Sequence, residues 1–268
     1  DRNNYSCAYD ALFAILFNIW ATKPKPKKKK KKKKRKKGKK EKKKTQESNQ
    51  YLSTQHDGFQ KYLRGVSTLE AAHDNSDPVL FPSEHTGCSV SALAMQMFYP
   101  VFQVPQLHLQ CSHCNHTIMI NSNCIGRLMH VAHSATGSIS QIIENHMCHQ
   151  SQQVCGNCNA PLESTIHFSE PHKLYAVDVT DRNVTLSRTV KIQGSVHATT
   201  LHLKGLVYHG GYHFTCRIVD ESGNIWFYDG ITTGRISIKD GKFGSVSQPN
   251  LKECRNKQLC LVIYGHRS

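Results

Sequence analysis

The sequence lacks a long apolar segment. None of its hydrophobic stretches approaches the roughly 20 residues that a membrane-spanning helix needs, and the longest, residues 11–20, is interrupted by Asn18. That stretch has no basic flank on its N-terminal side and no small-residue cleavage site, which argues against a secretory signal peptide. We therefore expect an intracellular protein, nuclear or cytoplasmic, that makes no membrane contact. The chain opens at Asp1 without a Met, and we interpret it as a domain of a longer protein.

Acidic residues are also scarce, with 19 Asp and Glu against 35 Lys and Arg and a formal net charge of +16. Residues 23–44 contain 18 Lys or Arg and one Glu and so carry +17, and the other 246 residues together carry −1. Such dense like charge repels itself and buries no surface, so we predict that residues 23–50 form a disordered Lys-rich insertion. Nuclear targeting or weak electrostatic contact with nucleic acid is one interpretation of this run. A solvated insertion without catalytic consequence is the other.

The 11 cysteines are odd in number and come without a signal peptide, which argues against a disulfide framework. Four of them form two CxxC pairs, Cys111 with Cys114 and Cys155 with Cys158. Two such turns bring four thiolates to the corners of a tetrahedron, which is the ligand set of a structural zinc site. We therefore predict one structural Zn. A site closed by four cysteines stabilises a fold and leaves no position for a substrate.

Other metal donors lie near these pairs in the sequence and are alternatives as ligands. We interpret them as ordinary surface histidines or buried cysteines, and they are His113, His116, Cys124, Cys148 and His149.

The predicted secondary structure changes type along the chain. Apolar residues at helical spacing predict helices over residues 8–20, 89–98 and 138–146, with a further helix start at 68–72. After residue 173, short β-rich runs separated by Gly, Asp, Asn and Ser predict antiparallel strands. These runs cover residues 175–179, 184–186, 190–192, 201–208, 212–219, 225–228, 235–238 and 259–264. Helices first, a metal-binding module next and an antiparallel sheet last predict an α+β fold.

Cys7 stands where a polar loop meets the first predicted helix. Free N–H groups and the positive end of the dipole at a helix N-terminus favour a thiolate and so activate a nucleophile. The same N–H groups are suited to stabilise an oxyanion. Without a partner base, Cys7 is better interpreted as a small buried residue at a helix start, because a free Cys is commonly just buried.

A partner base is present near the other end of the chain. His213 begins one predicted strand and Asp229 ends the next, with a turn at residues 220–224 between them. The two side chains are therefore expected to face each other across a hairpin, where Asp229 fixes the tautomer of His213 and leaves its other nitrogen to deprotonate Cys7. Gly210 and Gly211 would let a substrate backbone pass close by. With 17 histidines in the chain, a strand histidine without a partner is the alternative.

These segments resemble the ubiquitin-specific protease family. Residues 4–12, Asn-Tyr-Ser-Cys-Ala-Tyr-Asp-Ala-Leu, are similar to its Cys box, and residues 211–215 with Trp226 and Asp229 are similar to its His box. The two CxxC pairs resemble the zinc site of its fingers subdomain, and residues 261–264 resemble its closing core strand. The order Cys, zinc pairs, His, Asp matches the family and differs from SUMO-type proteases, in which His and Asp precede the Cys.

The resemblance implies a papain-like cysteine protease with a thumb–palm–fingers arrangement in one catalytic domain. The parts would be a Cys box and helix (1–22), the Lys-rich insertion (23–50), thumb helices (51–110), a zinc-ribbon fingers module (111–166) and a palm sheet with the His box (167–268). It also implies a deubiquitinase that hydrolyses isopeptide bonds at the C-terminus of ubiquitin or a ubiquitin-like protein. Cys7 would form the thioester, His213 would act as general base and Asp229 would orient it.

The sequence departs from the family at two positions. The oxyanion-hole Asn, five residues before the Cys, is Arg2 here, so that Asn3 and Asn4 are the nearest candidate donors. The second acidic residue that follows the triad acid is Gly230 here. A catalytically weak or inactive ubiquitin-binding module is therefore one alternative. A zinc-ribbon nucleic-acid-binding protein is another, whose affinity would fall steeply with salt and vanish on deletion of residues 23–44.

Overall fold

The computed structural model describes seven segments of the chain. They are residues 7–21, 89–98, 106–121, 128–132, 134–167, 174–193 and 197–267. The Lys-rich run and the helix start at 68–72 lie outside these segments.

The described residues form four α-helices and fifteen β-strands. The helices are α1 (Cys7–Ala21), α2 (Val90–Phe98), α3 (Ile139–Met147) and α4 (Gln248–Lys252). The strands before residue 170 are β1 (Gln106–Cys111), β2 (Thr117–Asn121), β3 (Leu128–His130), β4 (Gly137–Ser138), β5 (Cys148–Val154) and β6 (Pro161–His167). The later strands are β7 (Leu174–Asp178), β8 (Val184–Thr185), β9 (Thr189–Ile192), β10 (Thr199–Gly210), β11 (His213–Val219), β12 (Asn224–Tyr228), β13 (Ile238–Lys242), β14 (Glu253–Cys254) and β15 (Lys257–Gly265).

The structure is a mixed α/β arrangement made mostly of sheet. Within the described segments, the main sheet has nine strands, of which seven follow the order β13–β12–β11–β10–β15–β7–β3, while β9 pairs with β10 and β14 with β15. A separate antiparallel sheet has the order β2–β1–β6–β5, and β4 and β8 form a short parallel pair. The strands after residue 173 other than β8 pair antiparallel with one another in the main sheet, as expected. The run predicted over 184–186 was expected to be one of these antiparallel strands, but it forms β8, which pairs parallel with β4 outside the main sheet. The parallel edge that β3 adds beside β7 was not expected.

Helices cover both faces of the main sheet. Alternate residues of β10 point to opposite faces, so Val207 belongs to the buried cluster that includes α1 and α2, whereas its neighbour Leu206 belongs to the cluster that includes α3. Leu12 and Ile15 of α1 are fully buried on the first face, and Ile143 of α3 is fully buried on the second. Burial of each such aliphatic side chain contributes roughly 1.5–3 kcal/mol. The sheet is therefore the middle layer between two apolar cores.

Helix α1 lies unusually close to the sheet at one position. A Cβ placed on Gly205 of β10 would lie 2.5 Å from Cδ1 of Ile15, a distance that real Cβ atoms essentially never show. Glycine at position 205 therefore allows the helix that begins with Cys7 to rest directly on the backbone of β10.

Two predicted elements were wrong in their bounds. Residues 106–110, assigned to thumb helices, form strand β1, in which Leu109 is buried and Gln110 is exposed. The strand predicted over 235–238 begins only at Ile238. The residues between Asp229 and Ile238 begin with a turn instead. The hydrogen bond from the Thr233 N–H to the Asp229 carbonyl closes this turn.

No helix in the described part of the chain is long and apolar enough to cross a membrane.

Candidate functional site

The β11–β12 hairpin that carries His213 and Asp229 is fixed by its own turn. The carboxylate of Asp220 accepts hydrogen bonds from the backbone N–H groups of Ser222 and Asn224, both at 2.9 Å, and from Nε1 of Trp226 at 3.0 Å. Burial raises the pKa of Asp220, but these hydrogen bonds together with that from the Asn224 side chain lower it below its usual value. The turn therefore holds the hairpin in a single register.

This register brings the predicted base and its carboxylate together. Cys216 is paired with Tyr228, so the next residue, Asp229, lies opposite Thr215. His213, two residues before Thr215, is therefore the diagonal neighbour of Asp229 on the same face. Nε2 of His213 lies 2.8 Å from Oδ1 of Asp229, and the two side chains are 17% and 7% exposed. Because a carboxylate only accepts hydrogen bonds, the proton of the neutral imidazole lies on Nε2, and Nδ1 keeps a lone pair.

The carboxylate of Asp229 has further donors in the loop that follows it. Oδ1 also accepts the N–H of Ile231 at 3.0 Å, and Oδ2 accepts the hydroxyl of Thr232 at 2.8 Å. Burial raises the pKa of this carboxyl, but the hydrogen bonds from His213, Thr232 and Ile231 outweigh burial and lower the pKa below its usual value. Asp229 is therefore a buried, charged acceptor at neutral pH.

The third predicted residue, Cys7, opens helix α1 and is half-buried. Asp10 lies in the same first turn, and its Oδ2 would be 3.4 Å from a Cβ placed on Gly230. Burial and the charge of Asp10 also raise the pKa of Tyr228. The first turn of α1 therefore lies beside the loop that follows Asp229.

No hydrogen bond joins Cys7 to His213 in the described segments. Catalytic hydrogen bonds in unliganded enzymes are often long and tighten only when substrate is bound. The candidate oxyanion donors Asn3 and Asn4 lie outside the described residues.

The four cysteines of the CxxC pairs are gathered at one end of the smaller sheet. Their sulfur atoms all lie within 4.8 Å of one another, with separations of 3.4 Å for Cys111–Cys158, 3.5 Å for Cys114–Cys155 and 3.7 Å for Cys114–Cys158. A tetrahedral zinc with bonds of about 2.3 Å separates its sulfur ligands by about 3.8 Å. The donor set therefore fits a metal ion such as zinc.

The two CxxC turns have the same local geometry. The Cys111 N–H donates to the carbonyl of His116 at 2.8 Å, and the Cys155 N–H donates to the carbonyl of Ala160 at 2.8 Å. The residue after each second cysteine has a positive φ, 56° for Asn115 and 58° for Asn159. Asparagine tolerates this left-handed conformation better than most residues. Both turns therefore present their thiols toward the same point.

The thiols of this cluster differ in acidity. Hydrogen bonding, first from the backbone of Cys114, lowers the pKa of Cys111 to about 6. A hydrogen bond from the backbone of Ala160 lowers the pKa of Cys158. The hydrogen bond between Cys158 and Cys111, together with burial, outweighs this effect and raises the pKa of Cys158 to about 12. Four thiolates so close together repel one another, and a divalent cation removes that repulsion.

The alternative donors are not part of this cluster. Within the described residues, the four-cysteine group contains neither His113, His116 nor Cys148, all of which are exposed. Cys124 and the side chain of His149 lie outside the described set.

Two residues of the candidate site were missed in the sequence. Thr232 belongs to the turn sequence Asp-Gly-Ile-Thr-Thr, in which a hydroxyl three residues after an Asp is a recognisable candidate partner. Asp10 is an acidic residue in the first turn of a helix, which the helix dipole alone explains. Its position beside Gly230 follows only from the packing of α1 on the sheet.

No family model and no curated protein match the sequence. Among solved structures, the chain has a TM-score of 0.39 and 12% identity to a chain of the SAGA DUB module of Ubp8, Sgf11, Sus1 and Sgf73 bound to monoubiquitin, covering 61% of this chain and 40% of that one. The same module bound to ubiquitin aldehyde gives a TM-score of 0.39 and 12% identity over 61% and 41% of the two chains. A yeast SAGA DUB module with an Sgf73 variant gives 0.38 and 11% over 61% and 40%. This chain therefore spans about two fifths of the length of the solved chains it matches, and these matches do not assign it to a family.

Proposed function

We propose that this chain is a cysteine-type deubiquitinase, a thiol-dependent hydrolase of isopeptide bonds at the C-terminus of ubiquitin or a ubiquitin-like protein. The observation that carries the proposal is the 2.8 Å hydrogen bond between Nε2 of His213 and Oδ1 of Asp229. This hydrogen bond orients the proposed base, and the loop that follows Asp229 lies against the first turn of α1, which bears Cys7. The resemblance of the Cys and His segments to ubiquitin-specific proteases supplies the substrate class.

The proposed reaction uses the free nitrogen of His213. Nδ1 takes the proton of Cys7, and the N-terminal dipole of α1 stabilises the resulting thiolate. The sulfur bonds to the carbonyl carbon of the ubiquitin C-terminal glycine, and the isopeptide C–N bond breaks as the imidazolium returns its proton to the leaving amine. Water then hydrolyses the thioester with His213 again acting as base.

Two further groups contribute to this proposal without taking part in proton transfer. Asp229 stabilises the imidazolium and keeps its ring oriented. The backbone N–H of Cys7 is the proposed oxyanion donor, together with Asn3 or Asn4.

The metal in this proposal is structural. Cys111, Cys114, Cys155 and Cys158 would hold one zinc ion, which joins the two CxxC turns and leaves no open coordination position. The smaller sheet would correspond to the fingers, the main sheet to the palm and helices α1 and α2 to the thumb of one catalytic domain. Contact of residues 23–44 with nucleic acid stays a prediction, since they lie outside the described segments.

The direct test is covalent capture by ubiquitin that carries a C-terminal electrophile. Intact-mass analysis should show one adduct on the wild-type chain and none on Cys7→Ala. The variant Cys148→Ala is the matched control, because the Cys148 thiol is exposed and belongs to strand β5 of the smaller sheet, outside the hairpin. This variant should react like the wild type. Cleavage of isopeptide-linked diubiquitin should follow the same pattern.

The test also separates the alternatives. Ubiquitin binding without an adduct would replace this proposal by that of a non-catalytic ubiquitin-binding module. Neither binding nor adduct, or an adduct that survives Cys7→Ala, would end the assignment.

A further inference from the structure

The two oxygens of the Asp229 carboxylate have different partners. Oδ1 accepts Nε2 of His213 at 2.8 Å and the N–H of Ile231 at 3.0 Å. Oδ2 accepts one side-chain donor, the hydroxyl of Thr232, at 2.8 Å. The first oxygen therefore serves the imidazole, and the second connects the carboxylate to the loop.

The terminal torsion of an aspartate side chain is soft, because χ2 of Asp has a broad distribution with two-fold symmetry. The hydrogen bonds from His213 and Ile231 restrain this rotation through Oδ1 alone. The hydrogen bond from Thr232 adds a restraint on Oδ2, and a short hydrogen bond to a charged acceptor is about twice as strong as a neutral one. The Thr232 hydroxyl is placed to hold the plane in which Oδ1 meets Nε2.

We propose that Thr232 is a positioning residue, which holds the Asp229 carboxylate and through it the Nε2-protonated tautomer of His213. The inference rests on the proposed function for its catalytic consequence, whereas its effect on the imidazole does not depend on any activity. Thr232 does not touch the reacting atoms in this scheme. It acts through Asp229, and the base is the Nδ1 atom of His213.

The neighbouring threonine has a different role. The Thr233 hydroxyl accepts the N–H of Asp229 at 3.1 Å and donates to its carbonyl at 2.9 Å. The Thr233 N–H donates to the same carbonyl at 2.8 Å. Thr233 therefore fixes the backbone of the turn, and Ile231 contributes only a backbone N–H. Within this loop, Thr232 is the residue whose side chain can be changed to remove a contact with the carboxylate.

The test replaces the hydroxyl without changing the shape of the side chain. Thr232→Val removes the donor, and Thr232→Ser retains it. Thr185→Val is the matched control, because Thr185 is an exposed threonine of strand β8 outside the candidate site. Position 232 is itself exposed, so the substitution is expected to leave the fold intact, and thermal melting of each variant checks this.

The primary readout is the tautomer of His213, measured from the nitrogen chemical shifts of its ring in 15N-labelled protein at a pH where it is neutral. Wild type, Thr232→Ser and Thr185→Val should show the Nε2-protonated form. Thr232→Val should show a mixture of both tautomers. Its kcat/KM on a fluorogenic ubiquitin substrate should fall about tenfold, mostly in kcat, since the change misplaces the base without altering substrate contacts.

The outcomes distinguish this inference from the proposed function. A folded Thr232→Val chain with an unchanged tautomer would overturn the inference whether or not the wild type is active. Equal behaviour of the Val and Ser variants would overturn it as well, because the hydroxyl would then have no role. A tautomer shift in Thr232→Val together with a wild type that forms no ubiquitin adduct would support the positioning role and reject the deubiquitinase.

Discussion

Replacement of Asp229 by Asn tests the catalytic proposal at its best-defined contact. The substitution keeps the size of the side chain and one carbonyl oxygen, which can still face Nε2 of His213, while it removes the negative charge. Hydrogen bonds to charged groups contribute about 1.5–3 kcal/mol and neutral ones about 1 kcal/mol, so stabilisation of the imidazolium should fall by about 1–2 kcal/mol. Because each 1.36 kcal/mol is a factor of ten in rate, kcat/KM should fall roughly 5- to 30-fold.

The assay is hydrolysis of a fluorogenic ubiquitin C-terminal amide at neutral pH, with thermal melting as a check on the fold. Asp181→Asn is the matched control, because Asp181 is exposed and its backbone φ of 57° suits Asn as well as Asp. The control should hydrolyse the substrate at the wild-type rate. A loss of less than threefold in a folded Asp229→Asn chain would refute the role given to this carboxylate.

The same carboxylate predicts a dependence of stability on pH. The pKa of Asp229 is lower in the folded chain than its usual value of about 3.9. Its contribution to stability is therefore complete above about pH 4 and is lost as the pH falls through the folded-state pKa. The difference in melting temperature between wild type and Asp229→Asn should shrink over that acidic range.

Three further changes test the metal site, the helix–sheet contact and the hairpin turn. Cys114→Ser removes one of four sulfur ligands, so elemental analysis should find one zinc per wild-type chain and less in the variant. The variant should also have a lower melting temperature. Equal zinc content in the two chains would contradict the site. Gly205→Ala should destabilise the fold by about 1–3 kcal/mol or more, because the new methyl group overpacks the contact with Ile15. Adding Ile15→Ala to the same chain should recover part of that loss. Strictly additive losses of the two substitutions, measured by denaturant unfolding, would contradict the contact. Asp220→Ala should lower the melting temperature at neutral pH, and the difference should shrink below about pH 4, because its hydrogen bonds lower the folded pKa; a constant difference down to pH 2 would contradict this.

Regular elements could be predicted where the local pattern is determined by burial on one face. The apolar spacing of residues 8–20 gave helix α1 within a residue at each end, because Leu12 and Ile15 face one continuous core. The strand predicted over 235–238 was displaced toward the C-terminus, because the turn that surrounds Asp229 depends on hydrogen bonds of Thr233. Such bonds leave no periodic signal in a sequence.

The part of the candidate site that depends on local structure could also be predicted. His213 and Asp229 are 16 residues apart across one hairpin, so local strand pairing is enough to bring them together. The positions of Asp10 beside Gly230 and of α1 against Gly205 depend on contacts between residues about 190–220 positions apart in the chain. No rule of local spacing gives such contacts, and the proposed pairing of Cys7 with His213 would be of the same kind.

The smaller sheet shares its apolar residues with the rest of the molecule. Leu107 packs against both the cysteine cluster and the main core, and Ile166 and helix α3 belong to the main core. A fragment of residues 106–167 would leave these side chains facing water, at a cost of roughly 1.5–3 kcal/mol for each large aliphatic group. A metal ion bound by the four cysteines would not cover these apolar side chains. The metal-binding region is therefore not a unit that could be grafted intact onto another protein.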